Sequence, residues 1–221
     1  MRSRAGASSG KSANWKVYVA YLRRHAHEMI WMGYERLNPA AYALSEEPDI
    51  TGELVRAMQD AMQDDNAPEW IVHYELPKDD PPLNVPGLLG KRRPKVDIEF
   101  VRVQPGTRPR LRFEAKRLGP KHPVGKYLGE DGMGCFLSGK YPVTHGEAGM
   151  LGYAQCGDEQ TWADKIKAEL DGNRNQYAVR EDGAWQKVRI APNLRHTYRS
   201  RHDRTDPLSR VTVHHVLLRF F

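Results

Sequence analysis

The sequence predicts an α/β fold in which a mixed β-sheet is flanked by helices. Apolar residues recur at helical spacing near the N-terminus, alternate with charged residues in the middle of the chain, and return in both patterns towards the C-terminus. The 221 residues are 39% hydrophobic, which suffices for one core. We therefore expect a flexible N-terminus over residues 1–13 and a single domain over residues 14–221.

Two helices are predicted to open the domain. Apolar side chains from Trp15 to Leu37 recur every three or four residues. Asn38-Pro39 ends this helix, because the residue before a proline avoids the helical conformation. A second amphipathic helix is predicted to begin near Thr51 and to end by Asn66.

Strands are predicted to follow these helices. Aromatic and β-branched residues fill positions 70–75, and apolar residues alternate with charged ones over 96–100 and again over 111–116. Turn-forming residues at 104–109 favour an antiparallel hairpin between the last two strands. The remaining predicted elements are a short helix, a strand, a helix and a final strand, at 134–139, 148–153, 161–170 and 211–221.

Composition limits the classes of protein that fit this chain. With 34 basic and 28 acidic residues the net charge is +6, which makes a polyanion a plausible partner without identifying one. Two cysteines argue against a disulfide framework. No apolar run reaches the roughly 20 residues of a membrane span, and no apolar core follows the basic start. We expect a cytoplasmic protein without a membrane partner.

Three charged side chains are predicted to meet on one face of the hairpin. Strand residues two apart share a face, so Glu114 and Lys116 project together. If the turn centres between residues 105 and 106, positions that sum to 211 face each other and Asp97 lies opposite Glu114. A centre one residue later places Asp97 opposite Lys116 instead. Both registers cluster the three side chains, whereas a slip of one in this sum would bury Asp97 among apolar residues.

This cluster has the chemistry of a hydrolytic metal site. Two carboxylates suit Mg²⁺, which prefers oxygen ligands and is commonly held by one or two of them. An amine beside them can position a water and offset negative charge on a phosphate. Glu99 shares the face of Asp97, either as a further ligand or as a neighbour. The alternative is a solvated hairpin face with an ordinary cross-strand ion pair.

The arrangement resembles the PD-(D/E)XK nuclease superfamily, which has the restriction-endonuclease-like fold. Its signature of an Asp on one strand and Glu-x-Lys on the next would be Asp97 and Glu114-Ala115-Lys116. The resemblance implies that Asp97 and Glu114 ligate Mg²⁺, for which Mn²⁺ substitutes, that the Ala115 carbonyl assists, and that Lys116 handles the attacking water. It also implies a further catalytic and metal-binding acid on the preceding helix, for which Glu53 is the match.

One departure from this pattern concerns its proline. The superfamily's proline usually stands directly before the Asp, whereas Pro94 stands three residues before Asp97. Residues 127–141, 149–153 and 198–204 also resemble segments of bacterial restriction-like proteins associated with phage defence.

Basic segments supply the expected nucleic-acid contacts. The candidates precede the acidic strand or lie in the basic stretch near residue 200, and they are Arg92, Arg93, Ser200, His202 and Arg204. Solvated charge runs and a mobile basic loop are the alternatives for these segments.

Together these features lead us to expect a metal-dependent nuclease that hydrolyses phosphodiester bonds in nucleic acid, with DNA as the favoured substrate and antiviral defence as one role. A homodimer and a partner protein of a defence system both stay open. The alternatives are an inactive nucleic-acid-binding or assembly subunit with the same fold, and a DNA repair or recombination nuclease.

Overall fold

The computed structural model describes the backbone of residues 9–64, 70–77, 95–102, 109–205 and 207–221. The first helix, α1, spans Ser9–Glu35 and therefore includes residues 9–13, which we expected to be flexible. A 3-10 turn at Pro39–Tyr42 follows, at the predicted end of the helix. Helix α2 spans Glu47–Asp64 and begins four residues before its predicted start.

The described strands form one mixed sheet. They are β1 (Trp70–Pro77), β2 (Lys95–Arg102), β3 (Arg110–Leu118), β4 (Glu147–Ala154), β5 (Gln186–Lys187), β6 (Thr197–His202) and β7 (Val211–Arg219). Their order across the sheet is β1-β2-β3-β4-β7-β6-β5. The β3–β4 and β4–β7 pairs are parallel and the other four pairs are antiparallel. The predicted antiparallel hairpin of β2 and β3 is confirmed.

Helices cover both faces of this sheet. On one face α1 and α2 pack against Phe113 and Ala115 of β3. On the other face Leu118 of β3 packs with α3 (Val124–Leu128), α4 (Gly134–Leu137) and α5 (Glu159–Gly172). The alternation of side chains along β3 thus divides the core into two layers. This arrangement confirms the predicted α/β class with a mixed sheet flanked by helices.

Strand β4 lies close against β3 because it carries a glycine where the two meet. Gly149 pairs with Phe113, and a Cβ at Gly149 would lie 2.2 Å from the Phe113 ring. Further along the same pair of strands, Glu114 lies beside Met150 and Lys116 lies beside Gly152. The charged residues of β3 therefore lie on a strand that is hydrogen-bonded on both sides. Among the described residues, no helix combines the length and hydropathy needed to cross a membrane.

Candidate active site

The hairpin register brings Asp97 next to the Glu-Ala-Lys segment. Ile98 pairs with Phe113 and Phe100 with Leu111, so opposite positions sum to 211, the first of the two registers considered. The Oδ2 atom of Asp97 accepts a hydrogen bond from the Ala115 backbone N–H at 2.7 Å. That bond joins the start of β2 to β3 and holds the Asp97 carboxylate against the strand that carries Glu114 and Lys116.

Lys116 lies at the centre of the cluster. Its Nζ atom donates to three oxygens, each 2.8 Å away: Oε1 of Glu114, Oε1 of Glu47 and the carbonyl oxygen of Ala115. The side chains of Glu114 and Lys116 are 5% and 15% exposed. The structure thus gathers Asp97, Glu114 and Lys116 at one partly enclosed place.

The helix acid in this cluster is Glu47, and the expectation that Glu53 would take this place is corrected. We placed Glu53 in the first turn because we expected the helix to begin near Thr51, but α2 begins at Glu47. Glu53 lies six residues further on, on another side of the helix, and forms an ion pair with Arg56 at 3.0 Å. Glu47 lies in the first turn and contacts Lys116.

The start of α2 is fixed to β3 by Arg117. Its backbone N–H donates to Oε2 of Glu47 at 3.2 Å, and its guanidinium contacts Glu46 at 2.5 Å. Pro48 and the two preceding glutamates are the residue types that favour a helix N-terminus. This signal was present in the sequence and would have identified Glu47.

Burial and crowding of like charges perturb the carboxyl groups. Burial, reinforced by the charge of Asp97, raises the pKa of Glu114 to about 8, against the opposing effect of Lys116. Burial also raises the pKa of Asp97, although the Ala115 N–H and Lys116 oppose this shift. Burial alone would lower the pKa of Lys116, but Glu114 and Glu47 outweigh it and raise that pKa. When all four groups are ionised, three carboxylates face one ammonium, which leaves two excess negative charges.

The donor set suits a hard divalent cation. Oε2 of Glu114 is buried and receives no hydrogen bond from the described residues, so a lone pair is left uncompensated. Mg²⁺ requires only one or two carboxylates, and carboxylate and carbonyl oxygens are what this site offers. In the described parts of the chain, no group of three or more His, Cys, Asp or Glu side chains converges on a single metal position. Here Glu47 and Glu114 point at Lys116, and Asp97 points at a backbone N–H.

Glu99 is a neighbour of this cluster and has its own partner. Its side chain is 1% exposed and forms an ion pair with Arg112 at 2.5 Å. The Arg112 guanidinium also donates to the carbonyl oxygen of Pro142 at 2.5 Å. The pair extends the charged face of the hairpin, and the Glu99 carboxylate is held by Arg112.

The structure corrects two of the expected nucleic-acid contacts near residue 200, Ser200 and His202, whereas the third, Arg204, stays a prediction. Ser200 and His202 are fully buried, because β6 is a sheet strand between β5 and β7 and both side chains point into the core. Arg204 donates to the carbonyl oxygen of Phe136 at 3.1 Å and to Oγ of Ser209 at 3.0 Å, which ties down two segments of the chain. The other two candidates, Arg92 and Arg93, lie outside the described residues.

Ser200 and His202 instead belong to a buried hydrogen-bonded chain. His202 Nδ1 lies 2.7 Å from the Tyr177 carbonyl and must donate to it, which leaves Nε2 to accept from the Ser200 hydroxyl at 2.7 Å. Ser200 Oγ then accepts from His215 Nε2 at 2.8 Å, and Tyr127 donates to His215 Nδ1 at 3.0 Å. With both histidines neutral, every ring nitrogen and hydroxyl group of this hydrogen-bonded network has a partner.

Comparisons of the chain with protein-family models, with curated proteins and with solved structures each gave no significant match.

Proposed function

We propose that this protein is a metal-dependent nuclease of the PD-(D/E)XK type that hydrolyses phosphodiester bonds of nucleic acid, with DNA as the favoured substrate. One observation carries the proposal: Asp97 and the Glu114-Ala115-Lys116 segment meet across two antiparallel strands, with Glu47 of α2 as a third acid. Mg²⁺ is the proposed cofactor, and Mn²⁺ is expected to substitute for it.

Each residue of the cluster has a proposed task. Oxygens of Asp97, Glu114, Glu47 and the Ala115 carbonyl would hold the cation. The bound cation supplies positive charge that polarises the scissile phosphate and lowers the pKa of a coordinated water. Lys116 would orient the attacking water and offset the negative charge that builds on the phosphate. The Ala115 N–H fixes Asp97 in advance, so little reorganisation is needed when substrate binds.

Exposed basic side chains near the cluster support a polyanionic substrate. Lys95 stands two residues before Asp97 and is 50% exposed, and Lys140 is 44% exposed. Each pairs with one exposed carboxylate, Glu75 or Asp131, at distances of 3.1 and 3.2 Å. Such surface pairs exchange readily for phosphate contacts, because each contributes at most about 1 kcal/mol. Binding would then weaken steeply as the salt concentration rises.

Cleavage assays test the proposal. Supercoiled plasmid, linear duplex, single-stranded DNA and RNA are incubated with the protein and Mg²⁺, Mn²⁺ or a chelator. We expect DNA cleavage that requires the divalent cation and that falls by about a hundredfold or more in Glu114→Gln and in Lys116→Met. Asp171→Asn, on the exposed side of α5, is the matched control and should cleave at the wild-type rate.

Two results would contradict this function. If Glu114→Gln cleaves DNA at the wild-type rate, the cluster does not take part in the reaction. Binding of DNA without cleavage by the wild type, under every cation tested, would favour a nucleic-acid-binding or assembly module instead.

A further inference from the structure

The three N–H groups of the Lys116 ammonium are all engaged. An ammonium has three donors and no acceptor, and here each donor faces one oxygen at 2.8 Å. Glu47, Glu114 and the Ala115 carbonyl use the whole hydrogen-bonding capacity of the side chain. In this arrangement Lys116 has no donor left for a water or for a phosphate oxygen.

The groups that hold the ammonium, namely Glu47, Glu114 and the Ala115 carbonyl, are also groups that the proposed function assigns to a divalent cation. The cation and the ammonium compete for these groups, since their charges repel and both would contact the Ala115 carbonyl and the two carboxylates. The side chain of Lys116 is 15% exposed, so its amine can move towards solvent without crossing the core. The ammonium is therefore held where a divalent cation would displace it.

We propose that Lys116 is an internal cation that Mg²⁺ displaces, so that metal binding releases the lysine for its work on the substrate. This inference rests on the proposed function and adds to it a regulation of the same site. Without the divalent cation the amine is held by Glu47, Glu114 and Ala115 and cannot reach a substrate. With the cation bound, those groups would hold the metal, and the amine would be free to move towards the phosphate. The lysine then becomes available only in a site that is already loaded.

Amine labelling of the full-length protein tests the release in solution. The protein is exposed to a brief pulse of an acylating reagent with saturating Mg²⁺ or with Na⁺ at matched ionic strength, and modified lysines are quantified by mass spectrometry. We expect the labelling rate of Lys116 to rise at least about tenfold with Mg²⁺, because a hydrogen-bonded, buried ammonium reacts slowly. Lys167, which is 53% exposed on α5, is the internal control and should label equally in both buffers.

A crystal structure with Mg²⁺ provides the geometric test. Displacement predicts that the distance from Lys116 Nζ to the Ala115 carbonyl oxygen increases from 2.8 Å to more than 4 Å. If Mg²⁺ is bound while Nζ stays within hydrogen-bond distance of Ala115 and Glu114, the inference is overturned even when labelling is faster. Unchanged labelling at Mg²⁺ concentrations that calorimetry shows to be saturating overturns it as well.

Calorimetry separates this inference from the function on which it rests. If Mg²⁺ and Mn²⁺ do not bind the wild-type protein, the proposed function fails together with the release. If the cation binds and DNA is cleaved while Lys116 stays in place, only the release fails.

Discussion

Replacing Ser200 by alanine should destabilise the protein while leaving its surface unchanged. The Ser200 hydroxyl lies between His202 and His215 and is hydrogen-bonded to both rings, at 2.7 and 2.8 Å. Alanine fits the same space but removes a donor to one ring and an acceptor from the other. Both histidines are fully buried, so water has no ready access to the two atoms left without partners.

The size of this effect follows from two buried polar atoms that lose their partners. Each unsatisfied buried group costs about 1–3 kcal/mol, so the free energy of unfolding should fall by roughly 2–6 kcal/mol. With a urea m-value of about 2–3 kcal/mol/M for a chain of this size, the unfolding midpoint should fall by roughly 1–3 M. Urea titration followed by circular dichroism measures this shift directly.

A matched variant separates the network from the general effect of losing a hydroxyl group. Ser138 is exposed beyond the end of α4, so Ser138→Ala should change the free energy of unfolding by less than about 0.5 kcal/mol. If Ser200→Ala unfolds at the same urea concentration as Ser138→Ala, the buried network does not contribute as described. If Ser200→Ala loses DNA affinity while its stability is unchanged, the original expectation that Ser200 contacts a phosphate would be supported.

Three further predictions concern the acids and the buried histidines. Glu47→Gln should lower DNA cleavage by about tenfold or more, whereas Glu53→Gln should leave it within twofold; equal rates of the two variants in plasmid assays would contradict a role for Glu47 in place of Glu53. Burial lowers the pKa of His27 to about 3 and that of His202 to about 4, so the unfolded chain binds more protons below pH 6.5. Stability should therefore fall by about 2 kcal/mol for each histidine between pH 6.5 and 4.5, as measured by urea titrations across that range, and a flat profile would refute it. The raised pKa of Glu114 acts in the opposite direction and costs stability as the pH rises from about 4.5 to 8. In a chelating buffer at pH 8, Glu114→Gln should therefore raise the free energy of unfolding by roughly 2–4 kcal/mol, which is measured as a higher urea midpoint. A lower midpoint would contradict the expectation that the buried, ionised Glu114 carboxylate destabilises the fold.

Residue alternation was sufficient to predict the hairpin and the shared face of its charged residues. Ile98, Phe100 and Phe113 had to face a core, which left two registers, with Asp97 opposite either Glu114 or Lys116, and the structure has the first of them. The helices α1, α2 and α5 were predicted for the same reason, since their apolar spacing extends over several turns.

Two predictions were wrong for different reasons. In one, exposed arginines obscured the alternation of a buried strand, and in the other the start of a helix determined which acid lies in the cluster. In β6, Arg199 and Arg201 alternate with Ser200 and His202, and neither of the inward residues is apolar, so the strand resembled a basic loop. The burial of a serine and a histidine depends on partners from β7 and α3 that are distant in sequence. At α2 a shift of four residues in the helix start exchanged Glu53 for Glu47.

The contact between Gly149 and Phe113 also determines how β3 and β4 can align. The aromatic ring occupies the space above Gly149, and sliding β4 by two residues in either direction would bring Glu147 or Leu151 beneath it. Neither side chain could share that volume, so both of these shifted alignments are sterically excluded. Glu114 is the residue after Phe113, and its height along the sheet is therefore set by a glycine on the neighbouring strand. Mutational scans that sample only charged positions would overlook this dependence.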